Sequence, residues 1–241
     1  MKCCGRRRNN IGKERGLEIV RIGVLGGTFN PIHLGHLLAA QSVQSLFSLS
    51  RVHFVVASTP PHKRPEEIIP FDYRYAMVSL AVAGEISFIP SRIELEPAAS
   101  PYTIDTMEKL ARLENPCKLF FIAGSDSIRE VASWRESEKL LTLYDFIFVK
   151  RAGDSSTEAS LPADMRHKIR DLTGLTRAQI RRRIGAETED ERLIYIVDTK
   201  VPDISSTGIR RLAASGGMIR RMVPRPVGEY IRKLRLYGEE R

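Results

Sequence analysis

The amino-acid sequence predicts an α/β fold: a parallel sheet flanked by helices on both faces, with a small helical C-terminal portion. Three observations carry that expectation. From residue 19 onward, apolar strand-like runs alternate with helix-length stretches, the pattern of units whose strands lie parallel. Breaker clusters such as Gly26-Gly27, Thr59-Pro60-Pro61 and Gly124 punctuate the runs. No repeat or low-complexity tract interrupts the alternation, so one domain over residues 18–241 accounts for it.

Residues 19–25 read as the first strand, stopped by Gly26-Gly27. Residues 34–47 have helical spacing, and the valine-rich run 52–57 is the second strand. Residues 71–83 are helical, 86–89 and 93–95 are short and extended, and 103–113 are helical again. Strands are expected at 119–123 and 146–149. Beyond Arg151 a Ser/Thr/Gly/Asp linker leads into an arginine-rich helical segment. Residues 193–197 give the last strand, and helices over 207–214 and 226–236 follow. The whole is Rossmann-like, and such sheets bind ligands beyond the carboxyl ends of their strands.

Composition narrows the class. Of 241 residues 42% are hydrophobic and 28% charged, which excludes wholesale disorder. No run approaches the length needed to span a bilayer. Arg6, Arg7 and Arg8 have no apolar stretch behind them, so no secretory signal is expected. Cys3, Cys4 and Cys117 are odd in number and badly spaced for a disulfide framework. A reduced, cytoplasmic protein is the expectation.

The formal charge of +9 invites a nucleic-acid partner, but its distribution argues otherwise. Residues 1–21 carry +5, residues 22–150 carry −2, and residues 151–241 carry +6. Residues 1–17 read as a disordered basic extension. The middle of the chain is slightly acidic, and no RRM, KH or zinc-finger motif is present. The Arg181-Arg182-Arg183 run reads as a solvated helix face, and His53, between Val52 and Phe54, as a structural residue.

The richest stretch runs from Val24 through Gly26, Gly27, Thr28, Phe29, Asn30, Pro31, His33 and Gly35 to His36. It is neither a dinucleotide fingerprint nor a Walker loop. Two glycines let a backbone approach a ligand closely. Two histidines three apart, where a helix begins, share one face. The helix start adds exposed N–H groups and a positive dipole end, which suit an anion. Zinc is the alternative, and it needs a third ligand for which no cysteine or histidine partner is evident. Far along the chain, Ile204-Ser205-Ser206-Thr207-Gly208-Ile209-Arg210 places an N-cap before a helix, with Arg210 one turn inside. That arginine and the capping N–H groups suit a polyphosphate.

The two motifs together resemble the H-x-G-H nucleotidyltransferase superfamily. The G-G-T-F-N-P-x-H-x-G-H run is more closely similar to bacterial nicotinate-nucleotide adenylyltransferases. Intermediate landmarks agree: Pro60-Pro61-His62-Lys63, Arg74-Tyr75-Ala76-Met77, Pro101 to Thr106, and Gly124-Ser125-Asp126 with Trp134 beyond. The resemblance covers residues 19–237. It implies adenylyl transfer from ATP to nicotinate mononucleotide. His33, His36 and Arg210 would be catalytic. Gly26, Gly27, Thr28, Phe29, Lys63, Asp126, Ser205, Ser206 and Thr207 would contact ATP. Thr103, Trp134 and Arg135 would receive the acceptor.

Magnesium (Mg2+) would ride on the polyphosphate with few or no protein ligands. Nucleic acid and membrane are not expected partners; oligomeric state, a homo-oligomer included, is left open. Arg74 reads equally as an ion-pair member or a ligand contact. Asn30 stands where many relatives of the resembled superfamily have aspartate, although asparagine is itself common in this enzyme group, and Arg135 stands where some have an aromatic.

Overall fold

A computed structural model describes residues 19–59, 64–96, 99–150, 161, 163–188, 190–199 and 202–238. The expected extension at 1–17, the start of the linker after Arg151, and Lys63 lie outside the described residues. The elements run β1 (Val20–Gly27), α1 (Leu34–Phe47), β2 (Arg51–Val56), α2 (Phe71–Val82), β3 (Phe88–Ser91), α3 (Thr103–Leu113) and β4 (Cys117–Gly124). They continue with α4 (Ser137–Leu143), β5 (Asp145–Lys150), β6 (Ile169–Asp171), α5 (Arg177–Gly185), β7 (Ile194–Asp198), α6 (Ser206–Ala214) and α7 (Arg225–Lys233).

All seven strands pair in parallel in the order β3-β2-β1-β4-β5-β7-β6. The chain winds outward from β1 to β3 and then returns to β4 beside β1. The winding direction reverses there, and a crevice opens at the carboxyl ends of β1 and β4.

Alternation along the strands feeds two cores. Phe120 and Ile122 of β4 join one buried cluster with Ala40 and Val43 of α1, Met77 of α2, Ile180 of α5, Ile209 of α6 and Val227 of α7. Leu119, Phe121 and Ala123 join the other, with Ile104 and Met107 of α3 and Leu140 of α4. Helices therefore cover both faces, as the unbroken apolar runs of a central parallel strand require. No helix among the described residues is long and apolar enough to cross a membrane.

Several elements differ from the sequence expectation. Gly26-Gly27 does not stop β1: both glycines stay in the ladder, opposite Val55 and Val56. Residues 93–95 form a 3-10 turn, not an extended segment. The neighbouring strand begins at Phe88, leaving Ile86 fully exposed. Its Pro90 is tolerated because β3 is an edge strand. α4 and β6 carried no usable pattern, being seven and three residues long. His53 is buried and its Nε2 lies 2.9 Å from Glu114 Oε1, the structural placement expected of it.

At the opposite end of the sheet from the crevice, Asp145 is fully buried beside Lys118, 3.5 Å away. Its Oδ1 accepts the Leu193 N–H at 3.1 Å. Burial pushes the Asp145 carboxyl up to about 6, against the opposing pull of Lys118. A folded-state value above the unfolded one means the native state holds the proton longer. Stability supplied by the protonated form is therefore present below about pH 4 and is lost as pH rises to about 6. Urea denaturation across this window should show wild type losing on the order of 3 kcal/mol relative to Asp145→Asn. Parallel pH profiles for the two proteins would exclude this assignment.

Candidate active site

The crevice is floored by the end of β1. The Gly27 carbonyl accepts the Ala57 N–H at 2.9 Å. A Cβ added at Gly27 would lie 3.0 Å from the Phe29 ring, and one at Gly26 would lie 3.3 Å from Phe121. Side chains there would displace the aromatic floor, so the backbone itself faces the crevice. Phe29 turns the chain with a left-handed φ of 47°, a conformation disfavoured for a bulky residue. Its ring is buried against Phe54 and the edge of His36, leaving its backbone as the part that can face the crevice. Asn30-Pro31 is cis.

His33 is the N-cap of α1 and His36 its third residue. The His33 N–H donates to His36 Nδ1 at 3.3 Å. The two rings stack with centroids 3.7 Å apart. With Nδ1 accepting, a neutral His36 ring carries its proton on Nε2, which makes that nitrogen a donor. The first turn of α1 contains no acidic side chain, so nothing there offsets the positive end of the helix dipole.

α6 docks onto the same loop. Ser205 caps it, its Oγ accepting the Gly208 N–H at 3.1 Å. Ser206 Oγ donates to the Pro31 carbonyl at 2.9 Å. Arg210 Nη1 donates to the Asn30 carbonyl at 3.0 Å, and its Nη2 to Thr207 Oγ1 at 3.3 Å. These bonds bridge 175 and 180 residues of sequence. They set the second basic motif against the first, and two helix N-termini share one loop.

Arg74 resolves as a clamp. Only 2% exposed, it donates from Nε to the Ile69 carbonyl and from Nη1 to the Thr28 and Ala57 carbonyls. Its Nη2 reaches the Ser58 carbonyl at 3.3 Å, and its guanidinium lies over the Phe71 ring. Burial draws its pKa down, with Tyr237 and Glu94 pulling the other way. The ion-pair and ligand readings are both displaced by backbone fastening. It ties the loop after β1 to the end of β2.

A second group lines the crevice beyond β4. Asp126 is exposed in the 3-10 turn that follows Gly124. Trp134 is half-buried, its ring edge-on to Phe121 at 5.7 Å, and its N–H is engaged with the Val131 carbonyl. Arg135 lies over the Tyr102 ring at 4.7 Å, next to Thr103 at the start of α3. Phe121 thus connects the glycine floor to Trp134. Glu94 accepts the Ser58 N–H at 2.9 Å and faces Thr106 Oγ1; burial pushes its carboxyl up. Among the described residues no group of three or more His, Cys, Asp or Glu side chains is arranged to hold a metal ion.

Sequence reasoning missed Glu94 and Tyr237 and left Arg74 open. Tyr237 OH donates to Asn30 Oδ1 at 3.0 Å. Nothing in its local sequence distinguishes it from any other tyrosine beyond a helix. Arg74 carried two signals, its place in the Arg74-Tyr75-Ala76-Met77 landmark and its being a single basic residue in α2, and neither told which group it contacts.

Comparison with known proteins shows the family and the fold. The cytidylyltransferase-like family matches residues 24–212. A protein named "Probable nicotinate-nucleotide adenylyltransferase" from Thermus thermophilus is 40% identical, aligned over 90% of this chain and all of its own length. A protein of the same name from Geotalea uraniireducens is 38% identical, over 92% of this chain and all of its own. The solved nicotinic acid mononucleotide adenylyltransferase of Plasmodium falciparum, complexed with NaAD, superposes with a TM-score of 0.66 at 19% identity. It covers 90% of this chain and 97% of that one. That likeness shows the shared Rossmann-like α/β fold. Sequence, crevice and docked arginine converge, and the chain belongs to the nicotinate-nucleotide adenylyltransferases of the cytidylyltransferase-like family.

Proposed function

We propose that this chain transfers the adenylyl group of ATP to nicotinate mononucleotide, a step of NAD biosynthesis, and that the crevice between β1 and β4 is where it does so. An oxygen of the mononucleotide phosphate attacks the α-phosphorus and forms the new P–O–P linkage. The bond from that phosphorus to the β-phosphate bridge oxygen breaks, and pyrophosphate leaves with the electron pair. The nucleophile is already anionic, so no general base is required. The protein's task is in-line placement and neutralisation of charge on the phosphoryl groups.

The observation that carries this reading is the docking of α6 on the loop after β1 through Arg210 and Ser206. It supports a division of labour along the triphosphate. His33 and His36, with the Gly26, Gly27, Thr28 and Phe29 backbone, take the α-phosphate and adenylyl side. Ser205, Ser206, Thr207 and Arg210 take the β- and γ-phosphates, assisted by Lys63. Asp126 accepts from ribose hydroxyls. ATP enters with a divalent cation on its phosphates, proposed to be magnesium, whose preference for water and phosphate oxygens needs no dedicated protein cage. Thr103 and the backbone around Trp134 and Arg135 receive the nicotinate carboxylate while Trp134 stacks on the ring.

Pyrophosphate release measured side by side on the two pyridine mononucleotides tests the acceptor. Nicotinate mononucleotide is expected to exceed nicotinamide mononucleotide in kcat/KM by about tenfold or more, because a site built to pair a carboxylate leaves its donors unmatched by an amide. Turnover of phosphopantetheine but not of nicotinate mononucleotide would reject the proposal.

A further inference from the structure

The loop between β1 and α1 is also held by residues far from it in sequence. Asn30, 3% exposed, stands where many relatives were expected to have aspartate, and its side chain has two fixed neighbours. Its Nδ2 donates to the Glu67 carbonyl at 2.9 Å, and its Oδ1 accepts from Tyr237 OH at 3.0 Å. A carbonyl can only accept, so the Glu67 contact fixes the amide orientation. A carboxylate could not donate there, which explains asparagine at this position. The backbone carbonyl of the same residue receives Arg210.

The tyrosine is placed deliberately. It lies beyond α7, in a segment where Arg235 and Tyr237 both adopt left-handed φ angles of 51° and 68°. Such conformations persist in non-glycine residues only where the surroundings over-determine them. Leu236 and Tyr237 pack on the core that α1, α2 and α7 share, and Leu236 N–H bonds back to the Ile231 carbonyl at 3.0 Å. The phenol is buried, which pushes its pKa up, while the charges of Arg210 and Arg74 pull the other way. At the other end of the contact Phe29 is also left-handed. Two strained turns thus meet through one hydrogen bond.

We infer that Tyr237 is a positioning residue for Arg210: by fixing Asn30 through its hydroxyl, it sets the carbonyl that aims the guanidinium at the triphosphate. The inference rests on the reading that Arg210 binds the β- and γ-phosphates. Tyr237→Phe keeps the ring and removes only the hydroxyl. Loss of one net hydrogen bond predicts about three- to tenfold weaker ATP binding.

Calorimetric titration of magnesium–ATP into the full chain reads this without any acceptor. Wild type, Tyr237→Phe, Arg210→Ala and the double variant form a cycle. The expected result is weaker ATP binding in both single variants, with no further loss when Tyr237→Phe is added to Arg210→Ala. The KM for nicotinate mononucleotide should stay within about twofold of wild type, and Asn30→Asp should weaken ATP in the same way. Unchanged ATP affinity in Tyr237→Phe, or a full additive loss in the double variant, overturns the inference and leaves the phenol a packing residue. Unchanged ATP affinity in Arg210→Ala overturns the phosphate reading itself. An acceptor other than nicotinate mononucleotide would overturn only the proposed function, because the calorimetric cycle contains no acceptor.

Discussion

His36→Ala is expected to lower kcat by roughly 10²–10³, the loss associated with one donor aimed at charge developing in a transition state. The geometry says which nitrogen matters. Nδ1 accepts the His33 N–H, so in the neutral ring the proton, and with it the donor role, falls to Nε2. His36→Asn keeps a short polar side chain at the third residue of α1 and serves as the second variant. It should retain more of the cap than alanine but little of the turnover. Single-turnover measurement at saturating substrates gives the rate, and far-ultraviolet circular dichroism with a thermal melt checks the fold. Turnover within about threefold of wild type in a folded His36→Ala protein would remove the imidazole from the chemistry. His33, the α1 N-terminus and the backbone of residues 26–29 would then have to carry the α-phosphate.

The largest expected effect on stability comes from Arg74→Met. Methionine fills comparable volume without donors. The carbonyls of Thr28, Ala57, Ser58 and Ile69 would be left in a site that is 2% exposed in the native protein. Removing a buried charge that satisfies several acceptors costs about 3–5 kcal/mol. Urea denaturation should register that loss as a lower midpoint, and Arg74→Lys should recover only part of it because an ammonium lacks the planar fork. A loss below about 1 kcal/mol would show that water replaces the guanidinium. Activity should fall in both variants through displacement of the loop ending at His33, not through loss of a ligand contact.

What was legible in the sequence follows from what local chemistry can encode. The glycine pair, the histidine spacing and the serine cap before α6 announce themselves within a few residues, because each is a local device for exposing backbone N–H groups. The strands β1, β2, β4, β5 and β7 were legible because burial on both faces makes their runs continuous. β6 was not, since three residues at a sheet edge leave no pattern. Residues 93–95 misled because a single buried position, Ile93, in a tight turn mimics a strand.

Within the site, apart from the Arg74 bond to Ile69, the roles of Arg74, Glu94 and Tyr237 rest on partners such as Ser58, Thr28 and Asn30, 36 to 207 residues away. Such roles belong to tertiary structure, and no window along the chain contains them. The charge of +9 was informative only after division: part of it, in Arg74, never reaches solvent.

The bonds from Ser206 and Arg210 to Pro31 and Asn30 have a consequence for biosynthesis. A ribosome finishes β1, the glycine floor and both histidines long before it reaches α6. Until residues 204–237 emerge, the nascent chain can pair its central strands, but it holds the first motif without the second. Closing contacts of such long sequence separation comes late and slowly in folding. The order makes the joining of the two motifs a last step: a chain interrupted before α6 has its histidines at a helix start but neither the Ser206 nor the Arg210 bond to the loop that precedes them.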